Sequence, residues 1–119
     1  MALLAVNEVV PTGFDFTTAL AAATEAGDTA QNDGTMCLVV ANDDSENHTV
    51  TVTAQNTSVY KPGYANITFS NIAVAVPAGE TIVIGPFPPA IYNNASGIIA
   101  ITYDAVTSVT IAAAKVQRV

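Results

Sequence analysis

One histidine, one cysteine and one dense acidic turn are the residues of this chain whose types suit chemistry. His48 follows Asn42-Asp43-Asp44-Ser45-Glu46-Asn47 and opens an alternating Thr/Val segment. A general base works on a nucleophile or beside a metal. Cys37 is the one thiol, and a reactive thiolate needs a nearby His or cation. His48 lies across a polar loop on the next predicted strand, so Cys37 reads as a small buried hydrophobe and His48 as a plain surface or strand residue. No Gly-x-Ser-x-Gly elbow, His-Glu-x-x-His, Cys-x-x-Cys or glycine-rich phosphate loop occurs in the sequence. The acidic turn lacks the central Gly and distal Glu of a calcium loop. It reads as the solvated tip of a hairpin, a charged end that discourages edge-to-edge pairing. The residues therefore predict no catalytic, cofactor or metal site, and no enzyme.

Charge narrows the partners. The 119 residues carry a formal net charge of −7, and the cations are Lys61, Lys115 and Arg118. Nucleic-acid affinity comes mainly from Lys and Arg on phosphates, and anionic membranes make the same demand. Neither is an expected partner. Charged residues make up 11% of the chain against roughly 25% in an ordinary domain; Thr, Asn and Ala take their place, as on the solvent faces of β-sheets. One cysteine allows no intrachain disulfide. Met1 to Glu8 starts apolar, yet it has no basic flank and Asn7 and Glu8 interrupt it, so it reads as neither signal peptide nor anchor. The chain is expected to be made in a cytoplasm. Four Asn-x-Ser/Thr triplets, at Asn47, Asn56, Asn66 and Asn94, read as products of composition.

The elements that would position these residues are β-strands. Met36 to Ala41 is a nearly continuous apolar run, suited to a central strand buried on both faces. His48 to Ala54 alternates, with Val50, Val52 and Ala54 inward, and these two segments read as a hairpin. Ile67 to Val76, Thr81 to Ile84 and a short edge strand Ala90-Ile91-Tyr92 follow. Ile98 to Tyr103 and Ser108 to Val116 read as a last hairpin. The stretch Gly85 to Pro89 cannot join a ladder, because its prolines lack donors. The pattern predicts an all-β, antiparallel sandwich or jelly roll of about seven or eight short strands over residues 35–119.

Residues 1–34 read as an arm, with either a short helix over Thr17 to Ala26, capped by Thr17 or Thr18 and stopped by Gly27, or an extended segment. Its apolar residues Leu3, Leu4, Val6, Phe14 and Phe16 are candidate partner contacts. Tyr60 and Tyr64 bracket a Lys-Pro-Gly turn; they either cap an open end of the sandwich or meet a partner.

The ordered segments Gly27-Asp28, Asn32-Asp33-Gly34-Thr35-Met36-Cys37-Leu38-Val39-Val40-Ala41-Asn42, Val76-Pro77-Ala78-Gly79-Glu80, Ile84-Gly85-Pro86-Phe87-Pro88, Tyr92-Asn93-Asn94 and Ile99 to Thr110 carry a resemblance. Over roughly residues 27–119 the chain resembles small β-rich head decoration, or cement, proteins of tailed bacteriophages. The resemblance implies a non-enzymatic role on the outer capsid surface of the virion, with the major capsid protein as partner and a dimer or trimer as the assembly. Such a protein would hold the expanded shell against the pressure of packaged DNA, and binding only the mature lattice would stabilise it by mass action. The alternatives are another virion β-module, such as a head fibre base or tail-associated protein, and a surface carbohydrate-binding or adhesion module. The usual Trp platforms of the latter have no counterpart here.

Overall fold

Alternating and continuous apolar runs condense into twelve strands and two single helical turns among the described residues. The computed structural model describes residues 2–116. In chain order the elements are β1 (Ala2–Leu4), β2 (Val6–Val9), α1 (Phe16–Ala19), β3 (Ala21–Ala22), β4 (Asp28–Gln31), β5 (Met36–Asn42) and β6 (His48–Val52). Then come β7 (Ser58–Lys61), β8 (Ala65–Thr68), β9 (Ile72–Val76), β10 (Thr81–Ile84), α2 (Pro89–Tyr92), β11 (Ile98–Tyr103) and β12 (Val109–Val116). The protein is all-β, as its alternation predicts.

Two five-stranded sheets enclose one core. The first runs β1-β4-β11-β6-β9, and the second runs β10-β5-β12-β2 with β3 also on β12. Leu38, Val40, Ile84 and Ile111 of the second sheet meet Val50, Val52, Val76, Ile99 and Ile101 of the first. The Met36 to Ala41 run holds the central place expected of it, between β10 and β12. Its even-numbered residues fill the core, while Cys37, Val39 and Ala41 point to the outer face.

The expected hairpins are absent. β5 and β6 lie in opposite sheets, as do β11 and β12. The loops 43–47, 77–80 and 104–108 each carry the chain across the core, so consecutive strands stack face to face instead of pairing edge to edge. Asn42 explains the first crossing. Its buried amide donates to the carbonyls of Glu46 at 2.8 Å and Val76 at 2.9 Å, and its Oδ1 accepts from Asp44 N–H. These bonds turn the chain out of one sheet and into the other. The Ile67 to Val76 segment is also split, into β8 and β9.

Residues 1–34 are woven into the sandwich, and no boundary falls at residue 34. β1 pairs in parallel with β4, and β2 in parallel with β12; β4 is itself an inner strand of the first sheet. These parallel pairs depart from the all-antiparallel expectation. Leu4 and Val6 are half-buried against the core, while Leu3 is exposed. The helix expected over Thr17 to Ala26 is one turn, capped by Asp15, whose side chain accepts from Thr17 N–H. With few large apolar side chains to support it, the run leaves the helix after Ala19, and Ala21–Ala22 take the free edge of β12 beside Ile111 and Thr110. Gly27, at φ +100°, turns the chain into β4, and a Cβ there would lie 2.8 Å from the Ile101 carbonyl oxygen.

The end opposite the three crossings is closed by Phe87 and Tyr92, packed edge to face at 6.4 Å. Full burial of Phe87 contributes about 2–3 kcal/mol. The Ala90-Ile91-Tyr92 segment, expected as an edge strand, lies in α2, where Pro89 takes the first helical position. A proline there loses no hydrogen bond.

Candidate interaction surfaces

The outer face of the second sheet carries an apolar groove of about 590 Å³. Its floor is Cys37, Val39 and Ala114; its walls are Val9, Val83 and Val116, with Phe14 and Phe16 along one side. Register makes this face apolar. Val83 pairs with Val39, Val39 with Ala112, and Cys37 with Ala114, so outward residues of three strands stand side by side. Val83 and Val116 are about two-thirds exposed. Cys37, expected inside, is half-buried in this face. Lys115 closes one rim and reaches the Asp33 carboxylate at 3.5 Å. The Thr35 hydroxyl and N–H, with Lys115 adding to them, hold the Asp33 carboxyl down to about 2.

Of the expected partner contacts, the fold brings Phe14 and Phe16 to this groove. Leu3, Leu4 and Val6 stand apart from it, in β1 and β2. Residues missed from sequence are Val9, Val83 and Val116. The signal that existed was the run Met36 to Ala41, apolar at every position and therefore apolar on its outer face as well.

Tyr60 and Tyr64 form a third location. β7 and β8 make a separate two-stranded hairpin, and the tyrosines are 67% and 80% exposed. They do not cap the core. The hairpin's base is held firmly. Ile91 carbonyl accepts from Gln55 and Asn56 N–H at 2.8 and 2.9 Å, and Ser70 carbonyl accepts from the Tyr92 hydroxyl at 3.1 Å.

His48 departs from a plain surface residue. It is buried at the first position of β6, with Nε2 2.8 Å from Asp44 Oδ2 and Nδ1 3.2 Å from Asp104 Oδ1. The hydrogen bond to Asp44 raises its pKa, burial opposes this, and Asp104 adds to the rise. Both nitrogens face carboxylates, so the ring is the donor at the centre of a clamp. The acidic turn, expected as a solvated hairpin tip, thus has one member, Asp44, engaged in this clamp.

A buried acid lies in β4. Asp28 Oδ2 accepts from the Tyr103 hydroxyl at 2.7 Å and from Thr24 N–H at 3.1 Å, while its buried Oδ1 has no partner. Burial first, and then Asp28, push the Tyr103 phenol far above its ordinary range. This pair locks β4 to β11. Among the described residues no group of three or more His, Cys, Asp or Glu is placed to hold a metal ion, and no helix is long and apolar enough to cross a membrane.

Compared with protein-family models, curated proteins and solved structures, the chain matches none.

Proposed function

We propose that this protein is a non-enzymatic structural module of a virus particle: a decoration protein that binds the outer surface of a tailed-phage head through the groove on its second sheet. The observation that carries the reading is the groove itself. Soluble monomers rarely leave contiguous apolar patches exposed unless a partner covers them, and here Val83, Val116, Val9 and Phe16 form one. The net charge of −7 suits a position outside the shell, away from DNA. The resemblance of residues 27–119 to phage cement proteins names the partner, the major capsid protein.

The test is co-sedimentation with shells assembled from the capsid protein encoded by the same genome, before and after expansion. Saturable binding to expanded shells is expected, with Val83→Asp and Val116→Asp each weakening it at least about tenfold. Failure of the wild-type chain to bind either shell would sink the reading.

A further inference from the structure

We propose that the β7–β8 hairpin is a docking element for a second copy of this chain, and that its receptor is the acidic end of the neighbouring molecule. The two surfaces sit at opposite ends of one protein, and the strand order requires it. β6 starts at His48 among the three crossing loops and runs away from them to Val52. β9 starts at Ile72, opposite Val52, and returns to Val76, opposite His48. The hairpin, inserted between Val52 and Ile72, therefore leaves from the end remote from those loops.

Charge divides the same way. The crossing loops hold Asp43, Asp44, Glu46, Glu80 and Asp104, half of the chain's ten acidic residues. Asp44 and Asp104 are tied to His48. Asp43, Glu46 and Glu80 are exposed and pair with no cation among the described residues. From residue 49 to residue 79 the one charged side chain is Lys61, at the hairpin tip between Tyr60 and Tyr64.

The hairpin also lacks partners of its own. A two-stranded hairpin is marginal in water unless one face packs on something, and every residue of β8 is exposed. Its base is fixed by Ile91 and Tyr92, so it projects as a preorganised element. Tyr60 and Tyr64 offer large contact area at little entropic cost; Lys61 selects an acidic receptor. Exposed Ala78 and Ala105 stand among the acids of the opposite end and leave room for the rings. An end-to-end contact of this kind is heterologous, so it closes into a ring or runs on as a filament.

The experiment is sedimentation velocity of the purified chain across a concentration series at low and high salt. Mass rising above the monomer with concentration, and less so at high salt, is expected. Lys61→Glu and the double variant Asp43→Lys/Glu46→Lys are each expected to weaken association at least about tenfold. Combining all three changes in one chain re-creates opposite charges across the contact and restores association. A monomer at every concentration overturns the proposal. So does association indifferent to Lys61→Glu, or a triple variant no better than its parents. The outcome is independent of capsid binding, which the Val83 and Val116 variants read.

Discussion

His48 Nδ1 lies 3.2 Å from Asp104 Oδ1, and this contact ties the first residue of β6 to the loop between β11 and β12. With Asp44 on the other ring nitrogen, one imidazole joins the crossing loops 43–47 and 104–108. Asn42 fastens the crossing loop 77–80, because its amide reaches the Val76 carbonyl just before it. Backbone bonds between the loops, such as Gly79 N–H to the Asn42 carbonyl and Asp43 N–H to the Ser108 carbonyl, complete the brace.

The clamp sets a pH dependence. A group whose folded pKa is raised contributes stability that is whole below its unfolded value and lost as pH rises through the folded value. His48 is such a group, raised from 6.5. Asp44 is lowered from 3.8, chiefly by the His48 hydrogen bond; for Asp104 partial desolvation opposes the change, and backbone bonds and His48 lower it nonetheless. Their contribution is whole above the ordinary carboxylate range and lost as pH falls through their folded values. Stability should therefore peak between about pH 4 and about pH 6.5 and decline on the alkaline side. His48→Gln is expected to flatten that alkaline decline, read as thermal midpoints at about pH 5.5 and about pH 8.5. Parallel profiles for both proteins would show that the clamp carries no proton-linked stability.

Asn42→Ala removes the donor to two carbonyls, of Glu46 and Val76, at a buried position. A loss of about 2–4 kcal/mol is expected in urea unfolding. A change under about 0.5 kcal/mol would mean that the crossing stands without its side-chain brace.

Ile84 and Val83 are neighbours with opposite fates. Ile84 faces the core, and Val83 faces the groove. Ile84→Asp buries an unpaired charge and should abolish folding, since its cost of several kcal/mol rivals the whole stability of a small domain. Val83→Asp should unfold within about 0.5 kcal/mol of wild type. Circular dichroism through a denaturant series distinguishes them, and a folded Ile84→Asp protein would contradict the facing of β10.

Deleting residues 1–16 separates an arm from an integral part of the sandwich. The deletion strips β1 from the first sheet and β2 from the second. The truncated chain is expected to lose its cooperative thermal transition or to melt well below the full chain. An unchanged midpoint would restore the arm.

Much of the facing was legible in the sequence. Alternation placed Val50 and Val52 inside, and the unbroken apolar run placed Met36 to Ala41 at the centre of a sheet. Neighbours were not legible, because alternation fixes which face a residue takes and says nothing of which strand lies beside it. A five-residue loop serves a hairpin or a crossing equally well; the difference lies in the buried Asn42 amide, whose targets are far apart in sequence. The groove was half legible. Phe14 and Phe16 stood out as poorly buried, but Val83 and Val116 join them only through the register of β10 and β12 on β5. His48 looked ordinary because Asp104, one of its two partners, is 56 residues away.

The pairing of β2 with β12 has a consequence for how the molecule is made. Asn7 donates to the carbonyl of Ala113, 106 residues further on. β2 therefore waits for a partner more than a hundred residues later, and the second sheet cannot be completed until β12 has been made. Until then, the inner strand β5 lacks its β12 neighbour, and its apolar residues stay open to other nascent chains. Such long-range closure makes for slow, aggregation-exposed folding, and synthesis rate and chaperone supply, more than final stability, would govern the yield of native protein.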